Sequence, residues 1–317
     1  MRSWVIIGGA GFIGSHLVSR LLEEKIDVAV VDNLSSGSLA HIEKFQNNSN
    51  FKFYNFDVTN TERLTEVLSG GTDVVVHLAS NPDIAKAATE PRIDFLQGTI
   101  LTESVAEASR LSRIKTLIYA SGSGVYLDKS EEMLYEDSQL QPISTYGASK
   151  LSGEMLLSAY SHMFDLRSIV VRFANVVGPK QTHGVGYDFL RKIDIKNKSL
   201  PILGDGSQKK SYIYVLDVVN AILLIEKETS AKFDIFNIST DGQMTVREIA
   251  NMACEILCGK SHGIELAFGK SNRGWKGDVP IVKISSEKIR NLGWNPQFTC
   301  HEAMRLSLEA MKEELTS

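Results

Sequence analysis

A tyrosine and a lysine four residues apart, Tyr146 and Lys150, open a segment with helical apolar spacing, TYGASKLSGEMLLSAY. Four residues is just over one helical turn, so both side chains share a face. An ammonium beside a phenol favours the phenolate and lowers its pKa. Such a tyrosine can serve as general base or acid near neutral pH. With 9 tyrosines in the chain, one such pair is about what chance supplies. Its weight comes from what precedes it.

The stretch VIIGGAGFIGSHLVSRLL, residues 5–22, places four glycines within seven positions between two apolar runs. Gly9-x-Gly11-x-x-Gly14 satisfies the dinucleotide fingerprint, and Gly8-x-x-Gly11-x-x-Gly14 its variant. One glycine allows a tight turn, the next lets a pyrophosphate reach main-chain N–H groups, and the last lets helix and strand pack closely. The helix N-terminus adds partial positive charge. Asp32 ends the next apolar run, 21 residues beyond Gly11. A carboxylate there accepts hydrogen bonds from an adenosine ribose and repels a 2′-phosphate, so NAD is favoured over NADP.

These residues need a frame. Strand-like runs at Trp4–Ile7, Val28–Val31, Phe51–Phe56, Val74–Leu78, Thr116–Ala120 and Ser168–Phe173 alternate with helical patterns at Phe12–Glu24, Glu62–Leu68, Thr99–Arg110 and Thr145–Tyr160. Repeated β-α-β units imply an α/β fold with a doubly wound parallel sheet. After about Gly178 the pattern loosens. Short strands (Leu200–Leu203, Ile213–Tyr214, Phe233–Ile238, Ile264–Phe268) mix with helices (Val215–Glu226, Val246–Leu257, Glu287–Leu292, His301–Glu314). The expected division is residues 1–178 for the dinucleotide, with segments returning from about 212–240, and 179–317 mainly for a smaller mixed α/β substrate lobe.

Composition excludes other classes. The 317 residues are 43% hydrophobic and 23% charged, with net charge −4. Lys209-Lys210 is only a pair, so nucleic acid is not an expected partner. No apolar run approaches the roughly 20 residues of a membrane helix, and no leader precedes the first strand. A cytoplasmic protein is expected. Cys254, Cys258 and Cys300 make no disulfide framework and lack the company a metal site needs; buried thiols are the expected reading.

The ordered blocks GGAGFIGSHL, VDNLSSG, FDVTN, VVVHLAS, YASGSGVY, YGASKLSGE, VRFANVVGP, LGDGSQKKSYIYVLDVVNAI, FNIST, GWKGDVP and LGWNP resemble the extended short-chain dehydrogenase/reductases, and among them the nucleotide-sugar epimerases of the UDP-glucose 4-epimerase type. The resemblance runs nearly end to end. It implies a Rossmann-like fold and a bound NAD. The cofactor contacts it implies are Gly8, Gly11, Phe12, Ile13 and Gly14 in the turn, Asp32 and Asn33 at the adenosine ribose, then Ser35, Ser36 and Gly37. Asp57 and Val58 would lie beside adenine, Leu78, Ala79 and Ser80 would line the channel, and Ser121, Tyr146 and Lys150 would complete the set. Tyr146 would be the base and Lys150 would hold the nicotinamide ribose. Asn175, Lys210 and Arg273 would touch the phosphates of a UDP-hexose, and the loop Leu200–Ser211 would cradle its base. Epimerisation at C4′ would pass through a 4-keto sugar. A homodimer built on Thr99–Arg110 and Thr145–Tyr160 is also implied.

The chain departs from that pattern in three places. Relatives carry Ser or Thr where this chain has Gly122, Asn where it has Gly98, and Gly where it has Leu127. Ser123 is expected to supply the missing hydroxyl to the substrate. Loss of such a donor slows a reaction roughly 10²-fold, and loss of one cofactor hydrogen bond costs about 0.5–1.5 kcal/mol. Ser123-Gly124 also stands where 4,6-dehydratases need an Asp-Glu pair, which disfavours that chemistry, and the glutamate usual in UDP-glucuronate decarboxylases is absent. Val282 aligns with a position often bulky in strict glucose/galactose enzymes; a small residue there would admit a larger C2 substituent.

Overall fold

The structure, a computed structural model, describes residues 2–83, 86, 87, 89–128, 132–261, 263–274, 277 and 279–316. The block residues Trp275, Lys276 and Asp278 lie outside the described residues.

Strands β1 (Ser3–Ile7), β2 (Asp27–Asp32), β3 (Phe51–Asn55), β4 (Val74–His77), β5 (Thr116–Gly122), β7 (Ser168–Phe173) and β12 (Phe233–Ile238) form one parallel sheet in the order β12-β7-β5-β4-β1-β2-β3. The apolar runs of the central strands β1, β2 and β4 are continuous because both faces are covered, whereas the edge strands β3 (FKFYN) and β12 (FDIFNI) are interrupted by polar residues. Trp4, Ile6, Val28, Val30, Val74, Val76, Ile118, Ile169 and Val171 pack under α1 (Phe12–Glu23) and α7 (Val215–Glu228). Val5, Ile7, Val31, Val75, Leu117 and Val170 pack on the other face, under α2 (Thr61–Leu68), α4 (Leu101–Leu111) and α5 (Thr145–Phe164). Phe233–Ile238, read from sequence among the short strands, is the edge strand of this sheet, in register with β7 from Phe233↔Ser168 to Ile238↔Phe173.

The winding reverses between β1 and β4. Ligands of doubly wound sheets lie at that crevice, beyond the carboxyl ends of the strands. A single turn, α3 (Arg92–Asp94), runs into a widened π turn, Phe95–Ile100, and on into α4. The start of the predicted Thr99–Arg110 helix is therefore embedded in a longer, distorted one.

Beside the sheet lies a smaller mixed assembly. β6 (Met133–Leu134), β10 (Lys209–Lys210), β13 (Met244–Thr245) and β15 (Ile281–Ile284) form a four-stranded sheet. β8 (Asn175–Val177) pairs with β11 (Tyr212–Tyr214), and β9 (Ser199–Ile202) with β14 (Glu265–Phe268). A third core, including Phe189, Leu200, Ile249, Ala253, Met304 and Leu308, joins α6 (Val185–Lys192), α8 (Val246–Cys258) and α10 (Cys300–Thr316). α8 starts on a capping box of Thr245 and Glu248. A short α9 (Glu287–Arg290) completes the helices. Cys254 and Cys300 are buried, and burial pushes both thiols up to about 11. Among the described residues, no group of three or more His, Cys, Asp or Glu could hold a metal ion, and no helix is long and apolar enough to cross a membrane.

Candidate active site

The glycine turn lies at the reversal point. Gly8 has φ +80°, and a Cβ there would sit 2.8 Å from the Ala79 nitrogen after β4. A Cβ on Gly14 would sit 2.4 Å from the Gly8 carbonyl oxygen. Turn, helix and neighbouring strand end are thus in backbone contact. Gly11, the N-cap of α1, offers no side chain to that helix. Among the described residues, the N–H groups of Phe12, Ile13 and Gly14 have no protein acceptor, as the first turn of a helix dictates. That arrangement suits a pyrophosphate.

Asp32 lies buried at the end of β2. Its Oδ2 accepts Ala10 N–H at 3.0 Å and its Oδ1 accepts Leu34 N–H at 2.8 Å. Burial pushes its carboxyl up, and those two donors oppose the shift. A Cβ on Gly37 would sit 3.0 Å from this carboxylate, so the loop stays close to it. Asn33 donates to Asp57 at 2.9 Å and takes Ser35 N–H at 3.0 Å, which ties the β2 and β3 ends together. Ser36 lies in the same loop, Val58 is buried, and Leu78 N–H bonds the Ile7 carbonyl at 2.9 Å. The residues assigned to a dinucleotide therefore converge on one edge of the sheet. Backbone N–H groups await the phosphates and a carboxylate awaits the ribose, so the site fits NAD.

Tyr146 and Lys150 stand on the first turns of α5. Ser144 caps that helix by accepting Gly147 N–H at 3.1 Å. The helix start is held by sterics the sequence did not disclose. A Cβ on Gly147 would lie 2.2 Å from the Gly124 carbonyl oxygen, and one on Gly153 2.5 Å from the Tyr119 hydroxyl. A Cβ on Gly98 would lie 2.5 Å from Ser149 Oγ, so the position expected to carry a cofactor-contacting Asn is instead a close crossing between the π turn and α5. Lys150 is buried, with Nζ 2.8 Å from the Ala120 carbonyl and 5.6 Å from the Tyr146 ring centroid. Burial pushes the ammonium down to about 8, while Glu154 and Asp94 raise it.

In the chain without cofactor, burial pushes Tyr146 up to about 12; Ser80 opposes this through a hydrogen bond and Asp94 adds to it. The Lys150 ammonium donates toward the end of β5 and not to the phenol.

Ser121 does not face the crevice freely. Its hydroxyl donates to Glu154 at 2.5 Å. Glu154 forms a fully buried pair with Arg172, with Nη2 at 2.6 Å and Nε at 3.0 Å. Arg172 also donates to Tyr126 Oη and the Glu136 carbonyl, both at 2.9 Å. Sequence reading missed this network. Glu154 falls one turn beyond Lys150, which was the only available signal.

On the far side, Ser123, Asn175, Lys210 and Val282 line one narrow cavity with Ser211 and Ile284. It holds about 10 Å³, room for about one water. Lys210 and Val282 are register partners across β10 and β15. Asn175 N–H bonds the Ser211 carbonyl at 3.3 Å. Arg273 is not among the lining residues; its guanidinium pairs with Asp128 at 2.7 Å. In the Leu200–Ser211 loop, Gln208 is buried, and a Cβ on Gly206 would lie 2.4 Å from the Phe268 ring. Gly122 is extended (φ −161°, ψ 169°), and a Cβ there would meet nothing nearer than the Phe173 carbonyl oxygen at 3.9 Å.

A sheet wound in two directions around a phosphate cradle, with a phenol and an ammonium on the adjoining helix, defines an NAD-dependent α/β enzyme. Comparison sets the family: residues 4–239 match the NAD dependent epimerase/dehydratase family, and the chain belongs to it. It is 29% identical to a putative UDP-glucose 4-epimerase of Methanocaldococcus jannaschii, over 97% of this chain and 98% of that one. The crystal structure of a UDP-glucose 4-epimerase with UDP-glucose from Thermotoga maritima superposes with a TM-score of 0.88 at 31% identity, covering 99% of each chain. That of a UDP-glucuronic acid 4-epimerase from Bacillus cereus, with UDP-glucuronic acid and NAD, superposes with a TM-score of 0.87 at 27% identity, covering 98% of this chain and 99% of that one.

Proposed function

We propose that the protein is a UDP-hexose 4-epimerase of the UDP-glucose/UDP-galactose type, working in the cytoplasm as a homodimer. What supports the reading is Tyr146 and Lys150 together on the first turns of α5, Lys150 held at the Ala120 carbonyl 5.6 Å from the phenol ring, and the residue after Tyr146, Gly147, packed on Gly124 of the Ser123 turn. NAD, when bound, would supply the acceptor for the hydride of C4′ and the donor that restores it. Tyr146 takes the proton of the C4′ hydroxyl at its phenolic oxygen and gives it back once the keto sugar has turned over. A phenol near 12 keeps its proton at neutral pH; the charge of an oxidised nicotinamide would lower it, and Lys150, 5.6 Å from the ring, would hold the cofactor's ribose. Ser123 orients the sugar oxygen, Asn175 and Lys210 meet the phosphates, and residues 179–317 form most of the substrate lobe. The one-water cavity beside Ser123 must widen for a sugar to enter.

Exposed Phe95, Leu96, Ile100, Met155 and Phe164 on the π turn and α5 supply an apolar face for the dimer. A second reading, a UDP-N-acetylhexosamine or UDP-uronate 4-epimerase, is favoured by Val282 at the cavity wall. Incubation with NAD and UDP-glucose, UDP-N-acetylglucosamine and UDP-glucuronate in parallel tests both. The expected result is UDP-galactose formation, reduced at least about 10²-fold by Tyr146→Phe. Conversion of only an N-acetyl or uronate sugar would select the second reading. No conversion of any of them, with NAD still bound, would leave a cofactor-binding protein.

A further inference from the structure

We propose a second anion site, for a small organic phosphate with a flat apolar body, in the cavity of about 330 Å³ between the loop after β8, the segment after β2 and the end of α10. Lys180, His41 and Glu314 line it with Tyr187, Met311 and Leu315. None of these side chains belongs to the cofactor or sugar-nucleotide sets.

The charge distribution points to an anion. Lys180 Nζ reaches only neutral acceptors, Ser15 Oγ at 3.3 Å and the His41 carbonyl at 3.2 Å, and pairs with no carboxylate among the described residues. The nearby Glu314 is otherwise engaged: its two oxygens accept the Lys180 backbone N–H at 2.9 and 3.1 Å. That contact holds Lys180 at φ +66°, a left-handed conformation unfavourable for a side chain of this kind. His41 Nδ1 bonds the Ala10 carbonyl at 2.9 Å, leaving Nε2 as its remaining polar atom. Burial lowers His16 and His41 from their ordinary values, opposed by their bonds to the Pro179 and Ala10 carbonyls, so both favour the neutral ring, whereas burial and the exposed Lys44 lower Lys180, opposed by Glu314. With Glu314 turned to backbone N–H, the cavity keeps one half-buried cation whose ammonium meets no carboxylate among the described residues. A phosphate would pair with it through charge-assisted hydrogen bonds. Tyr187, Met311 and Leu315 form an apolar wall suited to a ring. Through Ala10 and Ser15 the site abuts the dinucleotide turn.

The test is calorimetric titration of phenyl phosphate into protein saturated with NAD, with inorganic phosphate and phenol as separate probes of head and body. The expected result is one saturable site for phenyl phosphate, at least about tenfold tighter than for either fragment. Lys180→Met and, separately, Leu315→Glu should each weaken it at least about tenfold. Thermal melting and NAD affinity of both variants report whether they fold. No saturable binding below about 10 mM, or binding equal in the wild type and both variants, would overturn the proposal. So would loss of binding with Lys210→Met and not with Lys180→Met, because the probe would then lie in the sugar-nucleotide cleft.

Discussion

The two sides of the crevice are built to different tolerances. On the dinucleotide side, glycines are spoken for by their neighbours: a Cβ on Gly8, Gly14 or Gly147 would meet backbone at 2.8, 2.4 or 2.2 Å. On the sugar side, Gly122 leaves 3.9 Å of clearance and Arg273 is held by Asp128 beside the cavity. The first side binds an unchanging ligand, and close packing fixes its shape. The second would have to open for the proposed substrate, because its cavity holds about 10 Å³. Gly122 therefore stands apart: vacant space beside Ser123, where Gly8 and Gly14, and Gly206 in the Leu200–Ser211 loop, are required contacts.

Changes on the close-packed side should have the largest effects. The folded Lys150 ammonium titrates near 8, below its ordinary 10.5. Between those values the unfolded chain binds the extra proton, so stability rises with pH across that window and is flat below it. The lysine's contribution should be on the order of 3 kcal/mol, read as the difference between wild type and Lys150→Met in urea unfolding of the NAD-free protein from pH 7.5 to 10.5, because the raised Cys254 and Cys300 thiols act in the opposite sense above pH 9 in both. A difference that does not change with pH would show that the lysine is not buried as described.

Gly14→Ala comes next, at about 2 kcal/mol of lost stability, because backbone faces the new methyl and cannot give way cheaply. NAD affinity, followed by fluorescence titration, should fall with it. Unchanged melting and affinity would mean that the turn is looser than its contacts indicate.

Gly122→Ser is the smallest change in stability, within about 0.5 kcal/mol, because nothing opposes the new side chain. Its effect should appear in kcat for UDP-glucose, raised up to about tenfold by a hydroxyl beside the sugar oxygen. A melting temperature lowered as far as that of Gly14→Ala would erase the contrast between the two sides.

Much of the frame was legible in the sequence. Strands such as β2 and β4 read directly as apolar runs, because a strand covered on both faces has no polar alternation to obscure it, and the edge strand β3 (FKFYN) read through its alternation. The glycine spacing and Asp32 read together because a turn, a helix start and a strand end lie within 30 residues of chain. Phe233–Ile238 read as a strand inside the segment expected to return to that domain, but its neighbour in the sheet did not read. Its partner β7 lies 65 residues earlier, and pairing across that distance leaves no local trace. The π turn at Phe95–Ile100 was hidden for another reason: at Gly98 it crosses closely over Ser149, on a different helix.

The site divides in the same way. Composition and spacing by themselves determined which groups are present: the phosphate-binding turn, the ribose carboxylate, and a phenol and an amine on one helical face. Only the tertiary structure decided their states. It half-buried Tyr146, which raises its phenol, turned Lys150 to the Ala120 carbonyl, placed Glu154 against Arg172 and set Arg273 on Asp128. The reason is that a side chain's chemical identity is local, whereas its charge and direction depend on desolvation and on partners brought from elsewhere in the chain.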